Sequence, residues 1–328
     1  MCKFLIVSFF LTNHLQAQHQ NNTFEPDSRV STSFHPAAIT HLHNQDCIVN
    51  NNEAVAIAVI IISRDQSTNN SDINIVSTAS KNVHVIDTAF YIPQLGRYRR
   101  IWLYLPESYK TSKSKYPVLY MHDGQNVFDD KTSFSGEWGV DEAIDTLGKV
   151  VGEMIVVAID NGGAKRMTEY NPYDSEKFGK GEGDAYVDFI VNTLRPFINK
   201  NYRTKRSSKY TYTAGSSMGG LISLYAILKY PNRFGGAGVF SPAFWLAPQI
   251  KDDVQKKGRK VKSKIYFFAG QLESETMVPD MLSVFQLFNS RSKAKLTSVI
   301  RSEGRHSEST WRNEFPLFYK WLFNAGTD

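Results

Sequence analysis

The run Lys209-Tyr210-Thr211-Tyr212-Thr213-Ala214-Gly215-Ser216-Ser217-Met218-Gly219-Gly220 passes straight into Leu221-Ile222-Ser223-Leu224-Tyr225-Ala226-Ile227-Leu228. A β-rich stretch, a G-x-S-x-G turn and an apolar helix follow one another without a spacer. That succession demands a sharp strand-to-helix turn at the edge of a sheet. Side chains two residues before and two after the serine would collide in so tight a turn, so Gly215 and Gly219 must be small. The turn leaves the Ser217 hydroxyl exposed, and the helix behind it aims its N-terminal N–H groups at the same point. Ser217 is therefore a candidate nucleophile. An isolated G-x-S-x-G is common in glycine-rich loops; the strand before it and the helix after it supply the context that the motif needs.

At 328 residues the chain has room for one α/β domain and an N-terminal extension. Its 41% apolar and 21% charged content is that of a globular protein and excludes global disorder. The net charge of +6 is scattered, apart from Lys256-Lys257-Gly258-Arg259-Lys260-Val261-Lys262. This run falls between a helix and a strand and is expected to be a solvated loop. No nucleic-acid motif accompanies it, so no nucleic-acid partner is expected.

The first 17 residues have the form of a secretory signal: Lys3, then the apolar run Phe4 to Leu11, then a cleavage point at Gln16-Ala17-Gln18. The expectation is a secreted or periplasmic protein with no integral membrane segment, because that apolar run is far shorter than the roughly 20 residues a spanning helix needs. Removal of the segment would leave Cys47 as the one cysteine, so the fold is not expected to rest on a disulfide. Residues 18–82 read as an extension rich in Asn, Ser, Thr and His. Its apolar patch, Ala54 to Ile62, fits a buried strand or a short helix, and Gln66 to Ser71 fits a linker. His35, His41 and His43 lack the carboxylate or cysteine array of a metal site, so no metal is assigned to them.

The catalytic domain is expected over residues 83–328. Strands are expected at Val83 to Ile92, Tyr98 to Leu105, Pro117 to Met121, Met154 to Ile159, Gly238 to Phe240, Ile265 to Ala269 and Lys295 to Ile300, besides the one before Ser217. Helices are expected at Val140 to Leu147, Ala185 to Phe197, Pro279 to Phe288 and Ser309 to Phe323, besides the one after Ser217. Continuous apolar strands alternating with helices define an α/β fold: a mostly parallel central sheet with antiparallel N-terminal strands and helices on both faces.

A serine hydroxyl needs a base, and the base needs an orienting carboxylate. Where the nucleophile sits on such an elbow, the chain order is serine, acid, histidine. His306 is the only histidine after Ser217. It lies between the last strand and the last helix, at the sheet edge where the base belongs. The strand ending at Phe240 is followed by no carboxylate, whereas the one ending at Ala269 is followed by Glu273 and Glu275. Both are contenders for the acid, with Glu273 nearer the strand edge. Asp280 is expected inside the helix that follows. The oxyanion of a tetrahedral intermediate needs two preset donors. The Met218 amide is one, and the Gln125 amide, in the turn Asp123-Gly124-Gln125-Asn126, is the other candidate.

These stretches together resemble the esterase family of the α/β-hydrolase superfamily that holds esterase D, feruloyl esterases and enterochelin esterases. The likeness covers residues 84 to 325 and rests on several blocks: Arg100 to Pro106, Tyr116 to Asn126, Gly215 to Gly220, Phe240-Ser241-Pro242 with Trp245, and His306 to Trp311. The resemblance implies an α/β-hydrolase fold and a serine ester hydrolase. It gives Ser217 as nucleophile, His306 as base and a carboxylate at Glu273, where relatives often carry aspartate. No metal and no organic cofactor are expected. The implied partner is a small-molecule or carbohydrate ester, of acetyl, feruloyl or siderophore type. An acyltransferase on the same scaffold and a non-catalytic binding protein are the rival readings. The loop Asn161 to Gly183 is expected to overhang the site. Trp138 and Trp245 are candidates for lining the acyl or sugar pocket, with core packing as the other reading.

Overall fold

The computed structural model describes residues 76–324. The signal-like segment, most of the 18–82 extension, both cysteines and His35, His41 and His43 lie outside the described residues. Eight strands form one sheet: β1 (Val83–Ile92), β2 (Arg97–Tyr104), β3 (Val118–His122), β4 (Ile155–Ile159), β5 (Thr211–Ser216), β6 (Gly236–Phe240), β7 (Lys264–Gly270) and β8 (Lys295–Arg301). Their spatial order is β1-β2-β4-β3-β5-β6-β7-β8. The β1–β2 and β2–β4 pairs are antiparallel and all others are parallel, so the antiparallel strands are the N-terminal ones.

The helices are α1 (Val140–Val151), α2 (Arg166–Glu169), α3 (Gly183–Phe189), α4 (Arg195–Asn201), α5 (Met218–Lys229), α6 (Ile250–Lys257), α7 (Met277–Arg291) and α8 (Glu308–Asn324). A π-turn, Ile190–Leu194, joins α3 to α4, so the single helix expected at 185–197 is longer and has an irregular middle. The basic run 256–262 is also not a plain loop. Lys256 and Lys257 end α6, Gly258–Lys260 form a 3₁₀ turn, and Val261 is fully buried. Its cations keep their solvent because the helical turn points them outward while Val254 and Val261 anchor it.

Strand side chains alternate between two apolar layers, as the two-residue period of a strand requires. Val118 and Tyr120 of β3, Ile155, Val157 and Ile159 of β4, and Ile265, Phe267 and Ala269 of β7 enter one layer, with residues from α3 to α7. Leu119 and Met121, Val156 and Ala158, and Tyr266 and Phe268 enter the other, with residues from α1 and α8. Both faces are covered, and for that reason these strands are apolar throughout. The parallel strands therefore present their C-terminal ends together at one rim, where loops are free to carry chemistry. Residues before Val83 are also tied to this domain. The Ser77 hydroxyl donates to Asp129 at 2.7 Å, the Ser80 amide to Asp141 at 2.7 Å and Asn82 to Asp145 at 2.9 Å. No helix among the described residues is long and apolar enough to cross a membrane.

Candidate active site

Ser217 sits between β5 and α5 with φ 57° and ψ −119°, a conformation that L-residues adopt only when their surroundings force it. Its amide donates to Phe240 O at 2.9 Å, and its carbonyl accepts from Ala243 N at 3.0 Å and Leu221 N at 3.1 Å. The turn is thus pinned to β6. A Cβ at Gly215 would stand 3.0 Å from the Gly219 backbone and from the His122 ring, so the spacing of the two glycines follows from the packing beneath the serine.

That packing includes a residue to which the sequence alone assigned no role. His122 is buried, with Nδ1 3.0 Å from the Tyr186 hydroxyl and Nε2 3.2 Å from the Thr213 hydroxyl. Burial drives its pKa down to about 4, only partly opposed by the neighbouring Asp123 charge. The imidazole is therefore neutral at ordinary pH and acts as a wedge under the elbow.

His306 lies in the β8–α8 loop and Glu273 in the β7–α7 loop. Two glycines let these loops touch. A Cβ on Gly270 would run into the Gly304 carbonyl, and one on Gly304 would stand 2.7 Å from Gly270 Cα. The close approach is fixed by Gln271 N donating to Arg301 O and Leu272 N to Gly304 O, each at 2.9 Å. Across this seam His306 Nδ1 lies 2.7 Å from Glu273 Oε2. Glu273 Oε1 accepts from Gly270 N at 2.6 Å and from the Ser241 hydroxyl at 2.7 Å. Ser241 itself accepts from the Trp311 indole N–H at 2.8 Å, and the Trp311 ring packs edge-on against His306 with centroids 5.0 Å apart. Glu275 is exposed, so of the two contenders Glu273 is the one that meets the imidazole. Asp280 lies in the first turn of α7.

Ser217 and His306 line one cavity of about 420 Å³, together with Gln125, Asn126, Trp138, Asn161, Arg166, Glu308 and Trp311 among others. Gln125 occupies a 3₁₀ turn, Gly124–Asn126, right after β3. A Cβ at Gly124 would stand 2.8 Å from the Ile159 and Asp160 backbone, so glycine is what lets this turn press against β4. Among the described residues neither the Met218 nor the Gln125 amide has a protein acceptor. Trp138 lines the cavity and also packs on Phe240 and Trp311, with ring centroids 5.0 and 5.6 Å away. Trp245 stands apart. It is 58% exposed, on the 3₁₀ turn Phe244–Leu246, and is not part of the cavity wall.

The 161–183 loop does reach the cavity, through Asn161, Gly163 and Arg166. Arg166 Nε and Nη2 grip Asp123 at 2.6 and 2.9 Å, and Asn161 Nδ2 reaches the same carboxylate at 2.7 Å. Burial works against the guanidinium, but the Asp123 charge and hydrogen bonds outweigh it and hold Arg166 above the usual arginine value. This pair was missed because Asp123 and Arg166 are far apart in sequence and belong to no spacing motif. Glu308 was missed too; it accepts from Asn126 at 3.2 Å and Ser135 at 2.7 Å and lines the cavity.

An eight-stranded, mostly parallel sheet with a serine on a strained strand-to-helix elbow is the α/β-hydrolase fold. The sequence profile of the family named "Putative esterase" matches residues 92–321, and the chain belongs to that family. The domain is accordingly an esterase domain. It is similar to the uncharacterized protein YbbA of Bacillus subtilis, 33% identical over 153 residues, covering 45% of this chain and 58% of that one. It is also similar to an endo-1,4-beta-xylanase/feruloyl esterase of Xylanibacter ruminicola, 26% identical over 236 residues, covering 70% of this chain but 30% of that protein. The chain thus spans less than two thirds of the length of either relative. Among solved structures, an IroE-like serine hydrolase from Shewanella oneidensis superposes with a TM-score of 0.61 at 18% identity, over 70% of this chain and 77% of that one.

Proposed function

We propose that this protein is a serine carboxylesterase that works through an acyl-enzyme on Ser217, His306 and Glu273. The observation that carries the reading is the 2.7 Å contact between Glu273 and His306 Nδ1, at the mouth of the cavity that Ser217 also lines. With Nδ1 engaged by the carboxylate, Nε2 is the nitrogen left to take the serine proton. Ser217 Oγ then attacks the ester carbonyl, and the developing oxyanion takes the Met218 and Gln125 amides. His306 returns its proton to the leaving alcohol. Water, deprotonated by the same imidazole, cleaves the acyl-enzyme.

The substrate class that fits the cavity is an ester with an aromatic acyl group, such as a feruloyl ester of a carbohydrate. Trp138, Trp311 and Phe134 offer aromatic walls, while Asn126, Asn161 and Arg166 offer polar partners. The feruloyl esterase named among the relatives supports the same class. The protein acts after export, on the strength of Lys3 and the apolar run behind it.

The test is hydrolysis of p-nitrophenyl acetate, with labelling by a fluorophosphonate. Wild-type protein turns over and is labelled; Ser217→Ala does neither. Turnover retained in Ser217→Ala refutes the triad. A panel of methyl ferulate, acetylated sugars and siderophore esters then tests the acyl preference, and a higher kcat/KM on any of them than on the feruloyl ester refutes it.

A further inference from the structure

Three carboxylates meet at the start of α1, and none of them lines the cavity of Ser217. Glu137 precedes the helix, and Asp141 and Glu142 are in its first turn. One oxygen from each lies within 4.8 Å of the others. Glu137 and Asp141 are 2% and 0% exposed, while the Glu142 side chain keeps 41% and opens the group to solvent. One oxygen of each residue has a partner. Glu137 Oε1 meets Arg312 Nη1 at 3.3 Å, Asp141 Oδ2 accepts from the Ser80 amide at 2.7 Å, and Glu142 Oε1 is 3.7 Å from Arg312 Nη2.

The other oxygen of each, Glu137 Oε2, Asp141 Oδ1 and Glu142 Oε2, is buried and has no hydrogen-bond partner among the described residues. A helix N-terminus favours nearby acids, and that accounts for part of the charge. It donates nothing to these three oxygens. An unpaired buried carboxylate oxygen carries the full cost of its desolvation. One guanidinium against three carboxylates leaves a net charge of −2 when all are ionised. A single divalent cation supplies both what the charge lacks and what the three oxygens lack.

We propose that Glu137, Asp141 and Glu142 form a Ca²⁺ site. The donor set is all oxygen, which suits a hard cation. No pair of these oxygens is more than 4.8 Å apart, which is inside the roughly 4.6–5.2 Å that two Ca²⁺–oxygen bonds span, so the ion fits without rearrangement. Water enters from the Glu142 side to fill the shell. The ion joins three pieces of chain: the segment around Ser80, the start of α1, and α8 through Arg312.

The test uses the full chain and no esterase readout. Tb³⁺ is titrated with excitation of tryptophan, since Trp138 adjoins Glu137, and is then displaced by Ca²⁺. Thermal unfolding is followed in EDTA, in Ca²⁺ and in Mg²⁺. The expected results are a saturable Tb³⁺ signal displaced by Ca²⁺, and a Tm raised by about 5–10 °C when Ca²⁺ is about a hundred times its dissociation constant. Mg²⁺ gives a smaller rise. Asp141→Asn abolishes the Ca²⁺ shift. Glu142→Gln, at the open side and so the least disruptive change, weakens Ca²⁺ at least about tenfold. The proposal is overturned if wild-type protein shows no saturable Ca²⁺ effect, or if Glu142→Gln keeps the wild-type affinity. If the acids only share protons, Asp141→Asn raises the Tm in EDTA while Ca²⁺ leaves the wild type unchanged, and that outcome also overturns it.

Discussion

Glu273 Oε2 and His306 Nδ1 stand 2.7 Å apart across a step in exposure, the glutamate side chain being 1% exposed and the imidazole 39%. A buried, multiply bonded carboxylate is a fixed point, and a half-exposed ring is not. The imidazole is therefore held by Glu273 at Nδ1 and by the Trp311 ring edge-on, while part of it remains exposed.

Glu273→Gln should lower kcat by roughly 10³–10⁴ while leaving the fold intact, because the amide no longer stabilises the imidazolium and can present the wrong group to Nδ1. Glu275→Gln should leave kcat within about twofold of wild type. Steady-state kinetics on p-nitrophenyl acetate decides between them; equal losses in the two variants would remove Glu273 from its role.

Ser241 holds this arrangement from outside the cavity lining, bridging the Trp311 indole to Glu273 Oε1. Ser241→Ala removes one donor from the carboxylate and leaves a buried indole N–H unpaired. The expected outcome is a loss of about 1–3 kcal/mol in stability and a fall of about tenfold in kcat with KM unchanged. A purely structural role would lower the Tm and leave kcat per folded molecule as it was. Chemical denaturation and kinetics on the same preparation separate the two.

The strands of the sheet were legible because both of its faces are covered, which makes runs such as Ile155–Ile159 apolar from end to end. The elbow was legible because its glycines are forced by local sterics. The β7–β8 loop seam was not, since its message is carried by Gly270 and Gly304, each of which looks like an ordinary turn glycine until the other is placed against it. The Asp123–Arg166 pair and the Ser241 bridge belong to the same class: contacts between loops that no helical or strand period connects. Trp245 misled for the converse reason. A tryptophan next to a cavity-bearing loop suggests a wall, but the short 3₁₀ turn at Phe244–Leu246 buries Phe244 and turns Trp245 outward.

His122 gives the stability a pH dependence whose sign can be fixed. Its folded pKa of about 4 is below the ordinary 6.5, so the unfolded chain binds the extra proton first. Stability from this residue is therefore complete above pH 6.5, is lost as the pH falls, and is gone by about pH 4, a total of about 3 kcal/mol. Asp141 and Glu137, with raised values, act in the opposite sense over a higher range. The informative quantity is thus the difference between wild type and His122→Gln, in which those terms cancel. The wild-type advantage should shrink from pH 7 to pH 4 in chemical denaturation, and a constant difference across that range would mean that His122 does not titrate as buried.

The seam between the acid and base loops yields the sharpest structural prediction. In Gly304→Ala the new methyl would stand 2.7 Å from Gly270 Cα and 3.2 Å from Arg301 Cβ, and neither backbone can yield without spoiling the Gln271–Arg301 and Leu272–Gly304 hydrogen bonds. Overpacking of this kind costs about 1–3 kcal/mol. The functional cost should exceed the stability cost, because the two loops that the methyl would push apart carry Glu273 and His306. A shift of about 1 Å there is enough to lower kcat about a hundredfold. KM should move little, since the cavity walls contributed by Trp138 and Asn161 lie on other elements. Fluorophosphonate labelling of Ser217 should slow in parallel with kcat, as it depends on the same base. A Gly304→Ala variant that is destabilised but labels at the wild-type rate would show that the two loops need not touch for the imidazole to reach its place.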